Sequence, residues 1–214
     1  MTDKSTKSRA KISDMGLRDR RYLLFVGSLT KKEGVHYLIE AFKQLEDTAK
    51  TPNNFKMVVV ANGEDQDDED YVKYLHLISK KRSNIIFFCV RKRTPIKQLF
   101  EHAYLYVEPS ESALPQGALF QALEYGLATL VSDVKENLDV VGEGAFTFKA
   151  KSVLNLRDRL AFLLSRPEEV SLMGERGKKI ARKNFKKKEV SDIKKIILEE
   201  NNKALWNWKN LLKK

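Results

Sequence analysis

Basic side chains and one predicted helix start are the features that could do chemistry, and that chemistry is anion binding. Arg91 and Lys92 follow an apolar run, where they either contact an anionic ligand or are simply solvated. Helix starts carry free backbone N–H groups that bind anions. The helix predicted to begin near Gly117 would present those of Gln116, Gly117 and Ala118.

The elements that must position these residues alternate between apolar runs and amphipathic segments. Strands are predicted over residues 22–26, 55–60, 84–89, 104–107, 130–132 and 145–148. Helices are predicted over residues 35–45, 71–81, 94–102 and 117–125. Thr94 is the expected N-cap of the third helix, Pro95 its first residue, and Gly126 the stop of the fourth.

Strands that alternate with helices favour a parallel sheet covered on both faces. The sequence therefore predicts an α/β fold, a single Rossmann-like doubly wound parallel sheet with a helical C-terminal extension. Residues 1–16 are expected to be a disordered lead-in, 17–151 the Rossmann-like domain and 152–214 the extension. Three helices are predicted in the extension. Ser152 caps the first, the second covers residues 167–184 and the third covers residues 188–212. Ligands of such sheets bind beyond the carboxyl ends of the strands.

Composition excludes several classes of protein. One cysteine in 214 residues excludes a disulfide framework, and no apolar run reaches the ~18–20 residues that span a bilayer. The N-terminus is polar and basic, unlike a secretory signal, so we expect a cytoplasmic protein. Six acids in residues 64–70 lack the spacing of metal ligands, so we interpret them as a solvated loop and expect no metal or cofactor.

The net charge of +11 is unevenly placed, with eight basic residues in 176–188. Trp206 and Trp208 follow in a segment that carries more lysines. Such segments suit an anionic membrane surface or an acidic groove of a partner, and the alternative is that the aromatic residues pack against the sheet domain. Nucleic acid is disfavoured because no recognition motif accompanies the charge.

The order of these segments resembles a known family. The run YLLFVGSLTKKEGVHYLIEAF, residues 22–42, resembles the opening of the nucleotide-sugar domain of retaining family 4 glycosyltransferases, the glycosyl transferases group 1. The resemblance continues through FKMVVVANGE, YLYVEPSES and ALFQALEYGLATLVSD. It implies the GT-B plan of two Rossmann-like domains, with the donor bound in the C-terminal one. This chain resembles that C-terminal domain alone.

The first loop departs from the pattern that the resemblance implies. The family's loop reads G-R-L-x-x-x-K-G, and its Arg and Lys grip the donor diphosphate. Gly27 is kept, but Ser28 stands where the Arg belongs and Glu33 where the Lys belongs. Lys31 or Lys32 is the candidate substitute.

The second motif also departs. The family has two glutamates eight positions apart, one facing the donor sugar and one holding the ribose. These positions fall on Ala113 and Gln121, and Glu111, two positions earlier than Ala113, is a candidate stand-in.

Two functions follow from these departures. The first is a catalytically degenerate glycosyltransferase-like domain, a pseudoenzyme that acts as a binding or scaffold subunit beside a protein partner or an acceptor-type domain. It would bind a nucleotide-sugar weakly or not at all. The alternative is a working donor-binding domain in which Lys31, Lys32 and Glu111 replace the missing groups and a separate chain supplies the acceptor domain.

Overall fold

A computed structural model describes residues 11–61, 67–90, 94–111 and 117–184. Four of the predicted site residues, Arg91, Lys92, Ala113 and Gln116, lie outside the described residues. The helix predicted over 188–212 lies outside them as well.

Six parallel strands form one sheet, as predicted. Their order is β3-β2-β1-β4-β5-β6. Each observed strand lies within about two residues of its predicted position at both ends. The strands are β1 (Tyr22–Gly27), β2 (Lys56–Ala61), β3 (Ile85–Cys89), β4 (Leu105–Glu108), β5 (Thr129–Ser132) and β6 (Phe146–Phe148).

The helices are α1 (Val35–Asp47), α2 (Glu69–Ile78), α3 (Ile96–His102), α4 (Gly117–Tyr125), α5 (Lys135–Val141), α6 (Val153–Leu164) and α7 (Pro167–Asn184). Gly126 ends α4 in the left-handed conformation, φ +74°, and the Ser152 hydroxyl caps α6 by accepting from the Asn155 N–H, both as predicted. None of the helices in the described part of the chain is both long and apolar enough to cross a bilayer.

The structure differs from the sequence-based expectations in three local features. α5 was not predicted, because it has only seven residues and little apolar periodicity. The N-cap of α3 is Pro95 rather than Thr94, because Pro95 has ψ 58°, outside the helical region. Part of the predicted disordered lead-in is a 3-10 helix, Ile12–Met15, which Gly16 ends at φ 68°.

Two apolar clusters lie on the two faces of the sheet because strand side chains alternate. Leu23, Phe25, Met57 and Val59 point to one face, where α1 and α6 pack together. Leu24 and Val58 point to the other face, under α3 and α4. α7 packs against both clusters, since Val170 belongs to the first and Ala181 to the second.

The strand order reverses beside β1, and this fixes the place of the site. β1 pairs with β2 on one side and β4 on the other, all parallel. The loops after β1 and β4 therefore leave the same edge in different directions, and a crevice opens between them. Gly34 brings these loops into contact at φ +70°, where a Cβ atom would overlap the carbonyl of Pro109.

We predict that Gly34→Ala lowers the free energy of unfolding by about 3 kcal/mol, because it adds a backbone clash to an unfavourable φ. Gly16→Ala is the matched control, because Gly16 has nearly the same left-handed backbone conformation (φ 68°, ψ 21°, against 70° and 15° at Gly34) and an added Cβ would meet only Lys56 Nζ, at 3.6 Å. It should cost only about 1 kcal/mol. Urea denaturation of both variants measures the difference. Equal losses would show that the contact with Pro109 contributes nothing to stability.

Candidate donor-type site at the β1–β4 crevice

The loop after β1 is a compact turn held at both ends by backbone geometry. Lys31–Glu33 form a single 3-10 turn that Gly34 ends in the left-handed conformation. Lys31 and Lys32 are exposed, whereas Ser28 and Glu33 are buried, 9% and 7% accessible. The two candidate substitute lysines therefore point to solvent, and the acid points inward.

The acidic segment before α2 has a structural role in this loop. Asp67 accepts a hydrogen bond of 2.5 Å from the Leu29 N–H, and the Asp68 N–H donates to the Leu29 carbonyl at 3.1 Å. Asp68 also caps α2 by accepting from the Asp70 and Tyr71 N–H groups. Burial raises the pKa of Asp67, against the effect of the Leu29 hydrogen bond. Within the described residues, no group of three or more His, Cys, Asp or Glu side chains could hold a metal ion.

The loop after β4 is held to the β1 loop and to β5. The Glu111 N–H donates to the Lys32 carbonyl at 2.8 Å. Ser110, Ser132 and Asn137 are fully buried and form a closed polar network, in which the Ser132 hydroxyl donates to the Ser110 carbonyl at 2.6 Å. Asn137 Nδ2 donates to both hydroxyls, at 3.1 and 2.8 Å. α5, which carries Asn137, thus fixes the direction in which the chain leaves β4.

Glu33 lies where the family pattern has a lysine, and its carboxylate is folded back over the end of β1. A Cβ atom at Gly27 would lie 3.4 Å from Glu33 Oε2. This is ordinary van der Waals contact, and it is the Phe25 ring, whose Cζ atom would lie 2.8 Å from that Cβ, that requires glycine at position 27. The charge of Glu33 also contributes to the raised pKa of the buried Tyr106 hydroxyl, so the two groups interact electrostatically.

A second buried acid, Glu108, lies at the end of β4. The Tyr106 hydroxyl donates to Glu108 Oε2 at 2.9 Å and lies 3.3 Å from the Val26 carbonyl. Burial raises the pKa of the Tyr106 hydroxyl, and the carboxylates of Glu108 and Glu33 raise it further. The phenol thus contacts one acid, Glu108, directly and interacts with a second, Glu33, through its charge.

Glu108 is only partly satisfied in this position. Burial raises its pKa to about 7, although hydrogen bonding with Tyr106 and Ser110 opposes the shift. The Glu108 Oε1 atom is buried and makes no hydrogen bond of ordinary distance and angle. Ser110 is nevertheless close enough to favour the ionised form of the Glu108 carboxyl. The interior next to the crevice is thus a poor place for more negative charge.

Glu111, the candidate stand-in for the family's sugar-facing glutamate, is held by α1 and by the start of α6. Its Oε1 accepts from the Tyr37 hydroxyl at 2.8 Å, and its Oε2 pairs with Lys151 Nζ at 3.1 Å. Partial burial raises the pKa of Glu111, but the hydrogen bonds from Tyr37 and Lys151 outweigh this effect and lower it. The carboxylate is therefore ionised, and both of its oxygens are engaged.

The remaining predicted residues lie on α4. Gly117 and Ala118 form its first turn and Gln121 the next, and all three are half-buried. Position 121 carries a neutral amide where the family motif has the ribose-binding glutamate. The start of α4 lies at the same edge of the sheet as the crevice because it follows β4.

Sequence reasoning missed four residues of this site: Tyr37, Tyr106, Glu108 and Lys151. Glu108 carried a readable signal, since it is an acid that directly follows the apolar run of β4. Lys151 carried none, because its contact with Glu111 joins loops after two different strands, β6 and β4. Its left-handed φ of 62° is also invisible in the sequence.

Residues 9–180 match the family described as glycosyl transferases group 1. The chain belongs to that family. Among curated relatives it is 26% identical over 208 residues to spore coat protein SA of Bacillus subtilis, covering 94% of this chain and 54% of that protein. It is 28% identical over 124 residues to the uncharacterized glycosyltransferase MJ1607 of Methanocaldococcus jannaschii, covering 58% of this chain and 30% of that protein. The chain thus spans about half or less of these relatives.

Solved structures confirm the fold. The C-terminal domain of the group 1 family protein LpcC from Francisella tularensis superposes with a TM-score of 0.69 at 18% identity, covering 82% of this chain and 91% of that domain. Anabaena Alr3699/HepE in complex with UDP-glucose superposes with a TM-score of 0.69 at 17% identity, covering 92% of this chain and 51% of that protein. The described sheet and helices are therefore one GT-B glycosyltransferase domain.

We predict that Glu108→Gln is increasingly more stable than the native chain as pH rises from 5 to 8. The pKa of Glu108 is about 7 in the folded chain and 4.5 ordinarily, so between these values the native state holds a proton that the unfolded chain has lost. The free energy of unfolding of the native chain therefore falls across this range, and the gap to the variant grows by about 2 kcal/mol.

Urea denaturation at several pH values measures this gap. Glu143→Gln, at an exposed position on the opposite edge of the sheet, is the matched control and should follow the native chain. A gap between Glu108→Gln and the native chain that is the same at pH 5 and pH 8 would contradict the raised pKa of Glu108.

Proposed function

We propose that this chain is a group 1 donor-type domain that has lost ordinary nucleotide-sugar binding and acts as a non-catalytic binding or scaffold subunit. The observation that carries the proposal is the buried carboxylate of Glu33 at the crevice, next to Gly27 and near Tyr106. The family pattern places a phosphate-binding lysine at that position.

The free energy lost through these substitutions is comparable to the whole binding free energy of a nucleotide-sugar. Each hydrogen bond from a charged group to the diphosphate contributes roughly 1.5–3 kcal/mol, and both the Arg and the Lys of the motif are absent. A carboxylate about 5 Å from a phosphate charge adds roughly 3 kcal/mol of repulsion at an effective dielectric constant of about 20. A complex with a micromolar Kd has a binding free energy of about −8 kcal/mol, so losses of this size leave a millimolar Kd or no binding.

The stand-ins do not repair the site. Lys31 and Lys32 are exposed, and the Lys32 carbonyl, rather than its side chain, is what contacts the loop after β4. Glu111 is held by Tyr37 and Lys151, so supporting charge on a donor sugar would require breaking both contacts. These contacts argue against the alternative of a working donor site.

The GT-B plan that the resemblance implies pairs a donor-type domain with an acceptor-type domain. This chain covers 54% of spore coat protein SA and 51% of HepE. An acceptor-type domain is therefore the partner we propose. The crevice edge, formed by the loops after β1 and β4, is the contact surface we propose for it.

The test is isothermal titration of the full chain with UDP-, GDP- and ADP-glucose up to millimolar concentration. The double variant Ser28→Arg/Glu33→Lys restores the motif. The matched control Ser28→Arg/Glu143→Lys carries the same substitution types and net charge, but places the lysine at an exposed position on the opposite edge of the sheet. Thermal melts establish that all three proteins are folded.

We expect the native chain and the control to bind at millimolar strength or not at all. The motif-restoring variant should bind at least one nucleotide-sugar about 1,000-fold more tightly or better, because one charge-assisted hydrogen bond and the loss of the repulsion together amount to at least about 4.5 kcal/mol. Micromolar binding by the native chain would refute the proposal and establish the alternative, a working donor domain.

A further inference from the structure

The outward face of α7 carries a row of positive charge that the proposed function does not use. Arg176, Lys179 and Lys183, spaced three and four residues apart, lie on one side of the helix and are all exposed; we call them the basic ridge. Arg182, also exposed, adjoins it. Within the described part of the chain, none of these residues forms an ion pair.

The opposite face of α7 packs closely against the rest of the domain and so fixes the position of the ridge. Gly174 lies directly against the backbone of Gly126, and Gly177 lies against that of Gly144. Ala181, 2% accessible, belongs to the core on the same face. Because these small residues let the helix backbone approach so closely, the ridge is a fixed feature of the folded surface.

Few acidic residues lie close to the ridge in the sequence to balance its positive charge. Glu175 lies at its N-terminal end, and after it no acid occurs until Glu189. Unpaired basic side chains on the surface repel one another, so a face of this kind is most stable against a surface that carries negative charge.

An exposed leucine near the ridge favours a lipid surface over a nucleic acid. Leu172, one turn before Arg176, is 68% accessible. The sequence after α7 adds more lysines and then Trp206 and Trp208. Basic side chains beside an exposed leucine, in a sequence that continues with lysines and tryptophans, suit the headgroup region of an anionic bilayer, whereas the loop and aromatic motifs that bind bases are absent from the sequence.

We infer that the basic ridge of α7 is a docking surface for an anionic membrane. The chain would lie on the bilayer with the outward face of α7 against acidic lipid headgroups. The crevice at the carboxyl ends of β1 and β4 is a separate surface, so this inference stands or falls independently of the proposed function.

The test is co-sedimentation of the full chain with vesicles of neutral phosphatidylcholine, with and without about 30% phosphatidylglycerol. The ridge variant is Arg176→Gln/Lys179→Gln/Lys183→Gln. The control variant is Lys50→Gln/Lys80→Gln/Arg159→Gln, which removes the same charge from exposed positions on or beside α1, α2 and α6. Circular dichroism checks that both are folded.

We expect binding to the anionic vesicles only, weakened by high salt, and a partition coefficient about 100-fold lower for the ridge variant, since each basic side chain contributes roughly fivefold. The control should stay within about fivefold of the native chain. Equal losses in the two variants, or equal binding to neutral vesicles, would overturn the inference. Displacement from the vesicles by a short RNA or DNA duplex that binds more tightly, and through the same ridge, would overturn it in favour of nucleic acid.

Discussion

The whole site depends on the complete burial of β1 between two layers of helices. All six of its residues are buried, so their side chains alternate between two apolar clusters and no polar group on the strand faces water. With parallel neighbours on both sides, β1 brings three loops to the same edge of the sheet. Side chains near this edge can therefore interact, as Glu108 does with the buried Tyr106 hydroxyl by a hydrogen bond and Glu33 does through its charge.

Burial also explains why these acids matter more than acids elsewhere on the chain. A carboxylate in water is solvated and screened, whereas one taken out of water favours its neutral form. The raised pKa of Glu108 and the effect of Glu33 on Tyr106 both follow from the apolar surroundings that β1 and β4 create. The same surroundings would strengthen any repulsion of a ligand phosphate. The electrostatics of the site thus follow from the packing of the sheet.

Much of the fold could be predicted because its signals are local. The runs that became β1 and β2 are continuous and apolar, and α1 shows clear helical periodicity, so their positions followed from the sequence. α5 is too short for periodicity to show, and its Asn137 matters only because Ser110 and Ser132 come from distant parts of the chain. The motif departures at Ser28 and Glu33 were readable. The contacts of Glu111 were not, because Tyr37 and Lys151 reach it from other elements.

The residues that hold the loops in shape are different from those that would touch a donor. Gly34 against Pro109, Asp67 on the Leu29 N–H and the Glu111 N–H on the Lys32 carbonyl position the loops through backbone atoms and one aspartate. Positions 28, 33 and 121 contribute to none of these contacts. These three contacts therefore do not depend on which side chains occupy positions 28 and 121. For this reason membership of the group 1 family accounts for the shape of the crevice, whereas its binding function has to be argued from the charges it now holds.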